Sequence, residues 1–169
     1  MSKKTFFTAL MCGLIAISVQ PLLAAPPSLA GSWQFTLIPG ASPATTPAVE
    51  IPGLATFTAD GSAIETDGSE FAAVPSSTAT PVKSSTPGHG IWQMANTPEA
   101  LYVQYISLVL EADGSLFARN ITTMFLTVDP MTGSTFKGTY TTVQIMGTID
   151  KVVSEGKVTG TLIPHVPLP

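Results

Sequence analysis

The chain reads as an all-β protein, expected to form an antiparallel up-and-down barrel of about eight strands. Three observations carry that reading. Runs of alternating apolar and polar residues recur through most of the chain, which is the side-chain period of a strand with one buried face. Turn residues separate these runs, and the tetrad Ala-Asp-Gly-Ser occurs twice, at residues 59–62 and 112–115. Asp-Gly between strand-like runs is a strong hairpin signal, because a tight primed turn needs φ > 0, which glycine adopts without steric cost. No segment carries a convincing amphipathic helical period. An open antiparallel sheet of this size would expose two edges. Closing it removes them, and eight strands leave room for side chains or one small ligand. A β-sandwich is the alternative.

The first 24 of the 169 residues are expected to be a secretory leader, followed by a single domain over residues 25–169. Lys3 and Lys4 make a short basic segment, residues 6–19 are almost wholly apolar, and Ala24 and Ala25 supply small residues for cleavage. The apolar run is short for a bilayer span. The protein is therefore expected to be secreted or periplasmic. Its only cysteine, Cys12, lies in mid-leader, so the mature chain uses neither disulfides nor thiol chemistry.

The first strand is expected over residues 32–37, where Trp33, Phe35 and Leu37 alternate with Ser32, Gln34 and Thr36. Residues 38–52, rich in Pro, Ala and Thr, read as a loop. Residues 53–59 and 63–67 flank the first Asp-Gly turn. Residues 68–90 are long, rich in Ser, Thr and Pro, and read as a second loop. A strand follows at 91–94, with a turn at 96–99. Residues 101–111 and 116–128 flank the second Asp-Gly turn. The stretch 101–110 is apolar on both parities, which suggests a strand covered on both faces, the outer one by a partner subunit. After a turn at 129–133, strands are expected over 135–146 and about 152–163. In the last strand, Val158 and Leu162 face inward, while Glu155, Lys157, Thr159 and Thr161 face outward.

Without Lys3 and Lys4, five basic residues face eleven acidic ones, a net charge of −6. There is no basic patch, so nucleic acid and anionic membrane surfaces are poor partners. No later run is long and apolar enough to insert in a membrane once the leader is gone. A small apolar ligand and a second copy of the chain are the expected partners.

Gly31-Ser32-Trp33, placed just after the leader, resembles the Gly-x-Trp opening of the lipocalin and calycin barrels, whose tryptophan plugs one end. The strand count and hairpin connections fit the same resemblance. It extends loosely to small secreted lipocalin-like bacterial proteins, of which residues 86–92 (Thr-Pro-Gly-His-Gly-Ile-Trp) look like the most characteristic stretch. The resemblance implies an exported barrel that holds a small apolar molecule. The chain departs from that pattern in several ways. The last strand offers Lys157 where lipocalins place an arginine on the tryptophan. The second lipocalin signature, the disulfides and a clear C-terminal helix are absent.

Four residues are candidates for a ligand site: His89, Trp92, Tyr105 and Arg119. His89 lies between Gly88 and Gly90, which permit close approach of a ligand, with Trp92 nearby; the plainer reading is a solvated imidazole at a loop end. Arg119, the only arginine, shares a parity with Phe117, Ile121 and Phe125. Facing inward it would be a buried cation needing an anion; facing outward it is a solubilising residue. Tyr102 and Tyr105 point to opposite faces, so only one can line a cavity. Glu65 and Glu111, next to the Asp-Gly turns, are expected in solvent. His165 is expected on a fraying tail. A lone axial histidine can hold haem, but nothing else supports a cofactor, and no metal-ligand spacing occurs. No nucleophile elbow or phosphate loop appears. Binding is therefore expected rather than catalysis. The alternatives are a cofactor-free barrel cyclase or isomerase anchored by Arg119, Tyr105 or His89, and a non-catalytic interaction module.

Overall fold

In a computed structural model, the alternating run after Ala30 forms β1 (Gly31–Pro39), with Trp33, Phe35 and Leu37 buried. The structure describes residues 27–40, 49–68, 84–96 and 100–164. The expected leader with Cys12, and His165, lie outside them. Eight further strands follow: β2 (Ile51–Phe57), β3 (Ser62–Asp67), β4 (Ser84–Ser85), β5 (Gly88–Met94), β6 (Leu101–Leu110), β7 (Leu116–Val128), β8 (Thr135–Met146) and β9 (Ile149–Leu162). β4 and β5 lie end to end along one edge of β6, where Ser85 pairs with Val109 and His89 with Ile106. Pro87, which has no N–H to donate, separates them. Together they act as one interrupted strand. Every other pairing is between sequence neighbours, and β1 pairs with β9, so the wall is a closed eight-stranded antiparallel up-and-down barrel.

Both Ala-Asp-Gly-Ser tetrads turn hairpins, but by a wider loop than the tight primed turn expected from Asp-Gly. Gly61 and Gly114 have φ of +92° and +84°, and no non-glycine residue has positive φ among those described. A two-residue type I′ turn needs positive φ at both central positions, so the aspartates rule it out. Thr58 N–H donates to Ser62 O at 3.0 Å, and Gly61 N–H donates to Thr58 O at 3.1 Å. Glu111, Gly114 and Ser115 repeat the pattern at 2.9 Å for both bonds. These are three-residue loops ending in a left-handed glycine. The aspartate contributes an acceptor instead. Asp60 takes the Thr58 hydroxyl and the Ser62 N–H, and Asp113 takes the Ser115 N–H at 2.9 Å. Those bonds favour the ionised form and hold both carboxyls below the ordinary value.

The expected loop over 68–90 ends sooner than the sequence suggests. Residues 84–85 and 88–90 are strand, and Gly88 and Gly90 occupy inward positions. A glycine carries no apolar side chain, so it leaves no mark in a hydrophobic pattern. The inner glycines are fitted to their neighbours in two ways. Phe35 lies across Gly53, its cross-strand partner, and Phe136 lies likewise across Gly160, each ring filling the space a Cβ would take. At Gly90, Gly138 and Gly156 the backbone of the adjacent strand occupies that space. Such close approaches mark places where a closing sheet bends sharply. A β-bulge adds to this in β9. Thr142 pairs with Ser154 and Val143 with Val152, leaving Val153 as an extra residue.

The core is the inner face of the wall. Trp33, Phe57, Val103, Leu126, Phe136 and Val158 meet there, together with Leu29 ahead of β1. The Trp33 indole donates to Leu29 O at 2.7 Å, and its ring lies 5.1 Å from that of Phe136. On β6 the inward residues are buried. On its outer face Tyr102 packs edge-on against Phe125, and Ile106 is 45% exposed.

Candidate functional site

The barrel interior changes character along its axis. Around Trp33 and Phe35 it is filled by apolar side chains, leaving about 10 Å³ beside Phe57, Val103, Met124 and Phe136. Towards the other end lies a cavity of about 170 Å³, lined by Glu65, Asp67, Tyr105, Asn120, Thr122 and Tyr140 among others. The lining at that end is mixed: Leu37, Ile51 and Val153 stand among the carboxylates, hydroxyls and amide.

Strand parity assembles this site. Ala63, Glu65 and Asp67 alternate on the inner side of β3, while Ile64 stands half-exposed outside. Glu65 pairs with Gly88 across the β3–β5 ladder, and Tyr105 pairs with Gly90 across the β5–β6 ladder. A Cβ on Gly88 would stand 2.7 Å from Glu65 Oε2 and closer still to the Tyr105 ring. The absence of a side chain at Gly88 thus lets a carboxylate and a phenol ring converge over one strand. Both are buried, Glu65 being 5% and Tyr105 3% exposed.

Most polar groups around the cavity are paired across strands. Thr122 and Thr142 share a hydroxyl bond of 2.9 Å, Tyr140 and Ser154 one of 2.8 Å, and the Gln144 amide donates to Asn120 Oδ1 at 3.1 Å. The Tyr105 hydroxyl differs. It is buried and makes no hydrogen bond of good geometry among the described residues; burial raises the phenol pKa by more than the nearby Thr122 hydroxyl, which bonds Thr142, pulls it down. A buried hydroxyl left in this state costs about 1–3 kcal/mol. Burial first, then the negative charges of Glu65 and Asp67, push the Tyr105 phenol well above its ordinary value. Burial first, and then Asp67, raises Tyr140 too, against the pull of the Ser154 hydrogen bond. At neutral pH both phenols are therefore uncharged, and each can donate or accept.

These shifts set an alkaline limit. Below pH 10, the ordinary tyrosine value, folded and unfolded chains both keep the Tyr105 proton. Above it the unfolded chain loses the proton while the folded chain retains it, so stability falls as pH rises. Tyr105→Phe is expected to flatten part of that fall. At pH 7 it should be neutral, or stabilising by about 1 kcal/mol, because it removes a desolvated hydroxyl. Urea unfolding at pH 7 to 11 reads both effects.

Of the four sequence candidates, only Tyr105 lines the cavity. Trp92 faces inward at the apolar end, where its indole donates to Thr58 O at 2.8 Å and its ring packs against the core. His89 is exposed on the outer wall, because Gly88 and Gly90 take the inward positions on β5. Arg119 is exposed as well, because Ala118 and Asn120 take the inward positions on β7. Lys157 also stands outside, and the ring that covers Trp33 is Phe136. Sequence reasoning missed Glu65, Asp67, Asn120 and Tyr140 as lining residues. Glu65 had a usable signal: the β2–β3 hairpin pairs Phe57 with Ala63 and Ala55 with Glu65, which ties the glutamate to the face of a core phenylalanine.

Among the described residues, no group of three or more His, Cys, Asp or Glu could hold a metal ion. No helix among them is long and apolar enough to cross a membrane. The class of protein defined here is a closed antiparallel barrel with an apolar end and, among the described residues, a cavity of mixed polar and apolar lining towards the other. No family model matches the chain, and no curated protein or solved structure compared with it gives a match.

Proposed function

We propose that this protein is an exported, lipocalin-like barrel that binds a compact polar molecule in its inner cavity. Export is supported by the basic, apolar and small-residue order of the first 25 residues. The lipocalin-like character is supported by the up-and-down barrel and by Trp33 set in its apolar end. The observation that carries the binding reading is the buried Tyr105 hydroxyl, which faces a cavity and makes no hydrogen bond of good geometry among the described residues. Buried polar groups are almost always partnered, and a bound ligand would supply the missing bond. An apolar cavity of about 150 Å³ takes up benzene, so 170 Å³ suits a guest of roughly six to ten non-hydrogen atoms.

Ligand-observed NMR with neutral amides, phenols, amines, carboxylates and apolar rings of that size tests the reading. Polar compounds are expected to bind saturably, and more weakly to Tyr105→Phe. Binding of apolar rings alone, or of nothing, overturns it. One observation favours a second reading, the isomerase: a neutral phenol beside a carboxylate is a pairing that can polarise a carbonyl and remove a neighbouring proton. Deuterium incorporation next to the carbonyl of a bound ketone, lost in Glu65→Gln, would establish that reading instead.

A further inference from the structure

We propose that the guest is a small uncharged polyol of three to five carbons, held by an arc of hydroxyl groups on the inner wall. This rests on the binding reading above and names the class of molecule.

Four consecutive strands build the arc. The registers put Tyr105 of β6 opposite Thr122 of β7, Thr122 opposite Thr142 of β8, and Thr142 opposite Ser154 of β9. Directly opposed side chains on one face are close neighbours, so the four hydroxyls form one cross-strand row. Tyr140 reaches this row from two positions along β8, and all five residues line the cavity.

Hydroxyls in an open chain cannot exhaust one another. Each carries one proton and two lone pairs, so bonds among themselves always leave a proton over. Thr122 and Thr142 share one bond of 2.9 Å, Tyr140 and Ser154 one of 2.8 Å, and in both bonds either oxygen can be the donor. Each pair therefore keeps one O–H to give, at whichever end the bond leaves free, and lone pairs to accept with. The Tyr105 hydroxyl is buried beside them without a bond of good geometry. Joined to Thr122, it would only lengthen that chain to three hydroxyls, with one proton still over. Both phenols keep their protons at neutral pH, so the arc is uncharged.

The wall thus presents donors and acceptors side by side. An alcohol group is also donor and acceptor at once, so adjacent hydroxyls on a short carbon chain match the row station by station. Leu37 of β1 and Ile51 of β2, on the strands after the arc, offer apolar surface to the C–H side of such a chain. A cavity of about 170 Å³ suits roughly six to ten non-hydrogen atoms, the range from glycerol to a pentitol. Glu65 and Asp67 border the same space already engaged in interactions of their own, so the hydroxyls and not the carboxylates define the guest.

Other classes match the row less well. An ammonium ion has donors only, and would set its protons against the spare protons of the arc. A carboxylate has acceptors only, and would give up its water shell for neutral partners. A monoalcohol answers one station and leaves the rest unpaired.

Four guests on a four-carbon chain test the inference: erythritol, butanol, butylammonium and butyrate. Each is titrated at pH 7 into the isotope-labelled protein and followed by chemical-shift changes. Erythritol is expected to bind saturably and the other three more weakly, by at least about fivefold, the worth of one neutral hydrogen bond. Thr142→Val keeps the side-chain shape and removes one hydroxyl of the row. It should weaken erythritol by a similar factor and leave butanol within about twofold. Ser154→Ala gives a second reading should Thr142→Val fail to fold. If butanol binds as tightly as erythritol, or if either ion binds best, the polyol assignment falls and the binding reading stands. The assignment falls in the same way if erythritol binds both variants as it binds the wild type. If none of the four binds saturably, the polyol assignment falls; the binding reading falls with it if the broader NMR series is also silent.

Discussion

Trp33→Ala is expected to destabilise the barrel by about 3–5 kcal/mol, the usual loss when a large buried aromatic is truncated. For a domain of this size that is a fall in Tm of about 6–20 °C. Three losses combine at this position. Trp33 is 1% exposed, so truncation opens a hole among Leu29, Phe136 and the residues around them. The ring contact with Phe136 disappears. Leu29 O loses the indole donor at 2.7 Å that holds the segment ahead of β1. Trp33→Phe separates these contributions. It keeps an apolar ring but not the donor, and should lose less than half as much. Phe125→Ala is the control on the outer wall. With 52% of Phe125 exposed, its truncation should cost no more than about 1 kcal/mol. Differential scanning calorimetry of the three variants decides. A Trp33→Ala transition within 3 °C of wild type would mean that this end of the barrel is not a packed core.

Gly90→Ala should be at least as damaging although it adds one carbon atom. The new Cβ would fall on Gln104 O and against the Tyr105 Cα. Neither is a side chain that can rotate away. Strands β5 and β6 would have to part, which breaks the ladder from His89–Ile106 to Trp92–Val103 and shifts Tyr105 out of the cavity wall. We expect a loss of at least about 3 kcal/mol, the upper range for an overpacked site. Gly114→Ala supplies the comparison. At Gly114 a Cβ meets nothing within 4 Å, but φ is +84°, so the change costs about 1–2 kcal/mol of backbone strain. Urea midpoints that rank Gly90→Ala as no worse than Gly114→Ala would show that β5 can move away from β6 at little cost.

How far the sequence could be read depended on what each residue shows outside its context. In β1 apolar and polar side chains alternate, and its inner face follows from the list of residues. At β5 the inward residues Gly88 and Gly90 have no side chain, so the strand looked like the tail of a loop. The Asp-Gly pairs located both hairpins. The turn type depended on backbone angles that Asp-Gly permits but does not impose, and the aspartates took a hydrogen-bonding role instead. Among the site residues, Tyr105 stood out as one of two tyrosines on opposite parities of an apolar strand. Glu65 did not, because carboxylates next to turns are ordinarily solvated, and Ile64 outside with Glu65 inside inverts the usual pattern.

The sequence by itself determined that the chain folds into antiparallel strands, where most of them run, and that Trp33 belongs to the core. Periodicity and turn chemistry are local, and a linear reading captures them. Only the tertiary structure decided which face of β3, β5 and β7 turns inward. That choice put His89 and Arg119 outside, closed the Trp33 end, and left Glu65, Asp67 and Tyr105 around the remaining space. A carboxylate is directed inward by the register of its hairpin and by a glycine on the neighbouring strand, and neither is a property of the residue itself.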